Sequence, residues 1–235
     1  GNVDKGWDYL RYGNYIGAGV PYEIFKRTIK KKSEKPNYLE REGKSADIPH
    51  VFNLFEEKGV EVVGGLNCFG CHGGSVDGQF IAGLGSSESD FVDQGGKFFS
   101  RLEKFVKFKY GKNSPEHKAY IPLVRGSRYV APYIETPFKG VNPAFKLEEV
   151  AVAHRNSSDL TWADGEQTFP VTNTMFASDV PPLWNVKKKN ALYYNAMGRG
   201  DFTKLLMQVM VVAIEDSTEG RQINDEFDNV LAWLN

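Results

Sequence analysis

The stretch CFGCH, residues 68 to 72, holds both cysteines of a 235-residue chain and one of its four histidines. Three chemistries use thiols at this spacing. A redox dithiol of the thioredoxin type expects a βαβ unit around the pair, and no such unit is legible around residues 68–72. Zinc needs four ligands in a tetrahedron, whereas the chain has two thiols, and His50, His117 and His154 are scattered singly. Covalent haem needs only what is present. Two thiols three residues apart add across the porphyrin vinyl groups, and the next residue lies under the iron. The sequence therefore predicts one covalent haem c, attached through Cys68 and Cys71, with His72 as its proximal metal ligand.

The far side of the iron then sets the chemistry. A strong sixth ligand gives an electron carrier, and an open position admits oxygen or peroxide. Met175, in the loop PVTNTMFASDVPP, is the first distal candidate, with His154 and Met197 as alternatives. If no side chain ligates, Trp162 and Phe176 are the candidates to wall a vacant site, and His154, Asp164 or Glu166 could move protons there. Met207 and Met210 sit in an apolar helical run and read as core. His117, in NSPEHKAY, reads as exposed, and His50 as packing near the motif. Arg125 and Arg128, with Arg155 as a third, are candidates to hold the haem propionates through charge-assisted hydrogen bonds.

The elements that must position these residues read as mostly helical. Apolar positions at 98, 99, 102, 105, 106 and 108 recur every three or four residues, which predicts an amphipathic helix over 95–112 with a glycine stop. Further helices are expected near 145–155, over 201–214 with Asp201 as N-cap, and from Asn224 to the end. Residues 73–90, rich in Gly and Ser, read as loop. No alternation is long enough for a large sheet. The expected fold class is mainly α, a cytochrome c-like haem domain with long loops. The expected division is an irregular N-terminal extension, 1–45, packing on a haem domain, 46–235.

Composition is that of an ordinary globular chain, 41% hydrophobic and 25% charged, with 13% aromatic residues that suit a large flat apolar cofactor as well as a core. A formal net charge of −1 gives no global field toward nucleic acid or an anionic membrane. The basic run at 25–44 is broken by Glu34, Glu40 and Glu42 and reads as a solvated face. No apolar run reaches the ~18 residues of a spanning helix, so no transmembrane segment is expected. Haem attachment to thiols takes place outside the cytoplasmic membrane, so the expected location is periplasmic or secreted, with the leader removed.

Several blocks together resemble one family. NCFGCHGG, GLGSSESDF, TPFKGVNP, AHRNSSDLTW and SDVPPLWNVKKKNALYYNAMGRGDF are similar to the bacterial di-haem cytochrome c peroxidase superfamily, nearest the branch with the secreted rubber oxygenases. The likeness runs from about residue 45 to the end. It implies a mainly helical haem domain with His72 proximal. In the oxygenase branch a Trp and a Phe line the oxygen-reactive first haem, and Trp162 and Phe176 match them by local context and spacing. The chain departs from the family in carrying one Cys-x-x-Cys-His motif where relatives carry two, so it is expected to be the first haem domain of a longer protein, the alternative being a single-haem descendant that lost the second domain. The function expected is a c-type haem redox protein that transfers electrons to a redox partner protein or to a second haem domain. The alternative is the oxygen- or peroxide-reactive domain of a di-haem oxygenase or peroxidase.

Overall fold

Asn2 starts the first helix by accepting from the backbone N–H of Lys5 at 2.9 Å, which satisfies one of the donors a helix start leaves open. The computed structural model describes residues 1–29, 39–65, 67–92, 97–192, 196 and 198–235. After α1 (Val3–Tyr12) come β1 (Val20–Pro21) and α2 (Tyr22–Arg27). Strands β2 (Phe52–Glu57) and β3 (Val60–Gly65) form a hairpin, paired from Phe52 with Gly65 to Glu57 with Val60. β1 pairs with the other edge of β3, Val20 opposite Val63, giving an antiparallel sheet in the order β1-β3-β2. The short helix α3 (Cys68–His72) leads into a second hairpin, β4 (Gly73–Val76) with β5 (Gln79–Ala82). Among the described residues five α-helices follow: α4 (Lys97–Tyr110), α5 (Pro115–Arg125), α6 (Ala144–Ala153), α7 (Phe202–Met207) and α8 (Ser217–Leu234).

The mainly α, cytochrome c-like expectation is overturned. The structure is 46% helical and 13% strand among the described residues, with two small antiparallel sheets, and it mixes α and β without a cytochrome c fold. The physical reason lies in two turns. Lys58-Gly59 and Asp77-Gly78 each place two successive residues at positive φ (+53° and +77°, +50° and +79°), the twist that closes a two-residue hairpin. Residues 73–82 are therefore strand-turn-strand and not loop. Nor is the N-terminal part irregular, because residues 3–27 supply two helices and the third strand of the first sheet. Residues 30–38 of the basic 25–44 run lie outside the described residues.

Three apolar clusters hold these elements together. The first joins α1, α3 and α8 through Leu10, Phe69, Phe227 and Val230, with Tyr15 and Ile214 filling between them. Trp7 of α1 stacks on Trp233 of α8 at 5.1 Å and meets Phe69 edge-on at 5.9 Å. The second cluster packs Val63 of the sheet and Phe25 of α2 against Val106 of α4 and Tyr120 of α5. The third, smaller cluster gathers Val130, Ile134 and Val150 beside α6. Each fully buried large side chain contributes about 1.5–3 kcal/mol, so the first cluster is what fixes α3 and its cysteines in place. Among the described residues no helix is long and apolar enough to cross a membrane.

Candidate functional site

A five-residue helix has too few internal bonds to stand alone, so α3 depends on what pins it. Asn67 is its N-cap, and its Oδ1 accepts from Phe69 N at 3.0 Å. The same side chain donates to His50 O and to Asn53 Oδ1, both at 2.8 Å. Asn53 in turn donates to Leu10 O and Gly13 O, each at 3.1 Å, at the end of α1. Asn53 is 0% and Asn67 2% exposed, and every atom of this relay has a partner, as buried polar groups require. The relay ties α1, β2 and α3 to one another directly beneath Cys68.

The two thiols face different surroundings. Burial pushes the Cys68 thiol up to about 12, with the neighbouring Tyr15 hydroxyl acting to lower it. Cys71 Sγ accepts from Asn142 Nδ2 at 3.1 Å, and Asn142 is held by a bridge to Ser178 on the 171–184 segment. No disulfide joins the pair.

His72 is oriented from the same segment. Its Nδ1 lies 3.1 Å from Pro181 O. A carbonyl can only accept, so this contact sets Nδ1 as the protonated nitrogen and leaves the lone pair on Nε2. Burial lowers the imidazole to about 4, so the ring is neutral at ordinary pH. The 181–184 segment that supplies Pro181 is latched to the second hairpin: Leu183 N donates to Gly83 O at 2.8 Å and Trp184 Nε1 to Ala82 O at 3.2 Å. The two segments approach so closely that a Cβ on Gly85 would lie 1.7 Å from Val180 O, which only glycine permits.

Cys68, Phe69 and His72 line an apolar cavity of about 50 Å³, closed by Leu183 and by Phe227 and Trp233 of α8. The chemistry of this donor set fits haem c. Two thiols stand beside a neutral imidazole whose Nδ1–H is held by a carbonyl, the arrangement that orients metal-binding histidines. The closed cavity itself is smaller than the several hundred Å³ that a cofactor of this size fills. On the segment that supplies Pro181, Trp184 is exposed, and Phe176, Phe169 and Phe138 are exposed as well.

None of the distal candidates among the described residues lines that cavity. Met175 is half-buried in its loop, and the next residue, Phe176, packs edge-on against Phe145 at 6.2 Å. Trp162 belongs to the third cluster. His154 stacks on it at 4.9 Å with 9° between planes, and His154 Nδ1 contacts Ala163 O at 3.0 Å. The guanidinium carbons of Arg125 and Arg155 lie 5.0 and 5.1 Å from the Trp162 ring. Arg125 Nη1 and Trp162 Nε1 are both buried without a hydrogen-bond partner among the described residues. Arg155 is 1% exposed and donates to Val211 O and Leu160 O. Arg128 points elsewhere, to Glu103 Oε2 at 2.9 Å. Met197 lies outside the described residues.

A larger cleft of about 570 Å³ lies at the start of α8, lined by Glu57, Lys58, Glu215, Asp216, Glu219 and Glu226 among others. It holds carboxylates and a lysine but neither thiol nor imidazole. Sequence reading missed Asn53, Asn67, Tyr15 and Pro181. The signal for Asn67 was available, since Asn is a preferred cap one residue before a helix. The other three act across the fold and left no local trace. No protein-family model, curated protein or solved structure matches the chain.

Proposed function

We propose that this chain is a c-type haem redox protein that carries one haem through thioether bonds to Cys68 and Cys71, with His72 as the proximal ligand, and transfers electrons. The observation that carries the reading is the bond between His72 Nδ1 and Pro181 O. It presents a neutral imidazole with a free Nε2 directly after the two thiols, and a metal ligand needs that tautomer. The bound group would supply one-electron chemistry at iron. The chain's own residues bind and orient: Asn67 and Asn53 hold α3, Asn142 holds Cys71, and Pro181 holds His72. The apolar wall of Leu183, Phe227 and Trp233 excludes water.

Electrons would pass to a redox partner protein or to a second haem domain, in a periplasmic or extracellular setting where thioether attachment takes place. The test is expression with an export leader and haem-attachment machinery, followed by denaturing electrophoresis stained for haem. Covalent haem retained by the native chain and lost in Cys68→Ser/Cys71→Ser is the expected result. A chain that remains colourless while a control cytochrome matures would overturn the proposal. Carbon monoxide added to the reduced protein then reads the sixth position. No spectral response supports electron transfer, and a shifted spectrum favours the oxygen- or peroxide-reactive alternative.

A further inference from the structure

Helix α4 has two apolar faces, and among the described residues only one is covered. Leu102 and Val106 are buried, and with Phe99 and Tyr110 they pack on the second cluster. Phe98, Phe105 and Phe108 point away from it and are 36%, 44% and 88% exposed. At 100° per residue these three fall within an arc of about 80°, with Arg101 inside it and Lys104 and Lys109 on its flanks. Residues 97–112 carry six Lys or Arg against one glutamate, a local charge of +5 in a chain whose net charge is −1. That glutamate, Glu103, lies toward the buried side and is engaged by Arg128. The outer face is thus entirely aromatic and cationic.

We propose that the outer face of α4 docks on a bilayer surface bearing anionic lipid headgroups. Phe105 and Phe108 would enter the boundary between headgroups and acyl chains, and Arg101, Lys104 and Lys109 would lie at headgroup level. A helix lying flat with aromatics on one side and cations beside them is the pattern of an interfacial helix. The packed inner face holds the axis parallel to the surface. The exposed phenylalanines and the excess of Lys and Arg among them match a surface that offers apolar depth and negative charge together. The proposal is independent of haem, since no residue of the face lines the cavity at Cys68 and His72.

The test is co-sedimentation of the chain with vesicles of phosphatidylcholine, with and without phosphatidylglycerol. Binding is expected only with phosphatidylglycerol present, and it should collapse as salt rises from about 0.1 M to about 1 M. Phe108→Ser should weaken it at least about tenfold, and Arg101→Gln/Lys104→Gln should do so as well. All three positions are exposed, and an unchanged thermal melt confirms that the variants fold. No binding to the anionic vesicles, or equal binding to neutral ones, overturns the proposal. So does self-association in analytical ultracentrifugation that Phe108→Ser abolishes, which would assign the face to a second copy of the chain. A failure of haem attachment would leave the vesicle result standing, so the two readings fail separately.

Discussion

Asn67 and Asn53 meet side chain to side chain, with Nδ2 of Asn67 2.8 Å from Oδ1 of Asn53, in a part of the molecule closed to water. Through this contact the end of α1 and the start of α3 share one set of hydrogen bonds. Asn53→Leu keeps the volume but removes an acceptor for Asn67 and the donors to Leu10 O and Gly13 O. Buried groups left without partners cost about 1–3 kcal/mol each, with some relaxation. A loss of about 2–4 kcal/mol in urea unfolding is expected. A loss below about 1 kcal/mol would show that α3 does not depend on the relay.

The thiols should react at different rates in the apo chain. With its thiol pushed up to about 12, Cys68 is thiolate in about one molecule in 10⁴ at pH 8, and the thiolate is the nucleophile. Cys71 faces Asn142 on the edge of the exposed 171–184 segment. Iodoacetamide should label Cys71 at least about tenfold faster, as read by peptide mass spectrometry. Equal rates would contradict the buried setting of Cys68.

Trp233 closes the cavity and stacks on Trp7. Trp233→Ala should cost about 3–5 kcal/mol, the usual result of truncating a packed aromatic side chain. It should also raise the labelling rate of Cys68 relative to Cys71. The second readout separates opening of the cavity from a general loss of stability.

Glu219 gives a pH prediction with a definite sign. Burial, with Glu57 and Glu215 nearby, raises its carboxyl above the ordinary 4.5. A group raised in this way favours folding in its protonated form. That contribution is complete below the unfolded value and is lost as pH climbs through the folded one. Glu219→Gln should therefore stabilise the chain at pH 7, by up to about 1 kcal/mol at this partly exposed site, with a rise in Tm of about 2–4 °C. The gain should vanish below about pH 4. A variant less stable than the native chain at pH 7 would refute it.

What the sequence made legible was local. The helix at 97–110 follows from its three- and four-residue apolar spacing, and Asp201 does accept from Thr203 N, two residues on. The last helix begins at Ser217, with Asp216 as its cap, and the expected start at Asn224 came seven residues late. The hairpins escaped because each depends on two turn residues at positive φ, with strands of only four to six residues. β1 is two residues long, and its pairing with β3 spans about forty positions, beyond any periodicity. At the candidate site the thiols and His72 are adjacent in sequence, so their spacing is legible without the fold. Pro181, which orients His72, stands 109 residues away, and the relay beneath Cys68 joins residues 10, 13, 53 and 67.

The lid over Cys68 has a further consequence, which concerns time. Leu183, Leu206, Phe227, Trp233 and Leu234 all come long after the thiols in the chain. During vectorial synthesis or export the CFGCH segment emerges more than a hundred residues ahead of the parts that will cover it. A large group that must reach both thiols meets them open in that interval and closed afterwards. Order of emergence, more than the depth of the finished cavity, would then govern access to Cys68.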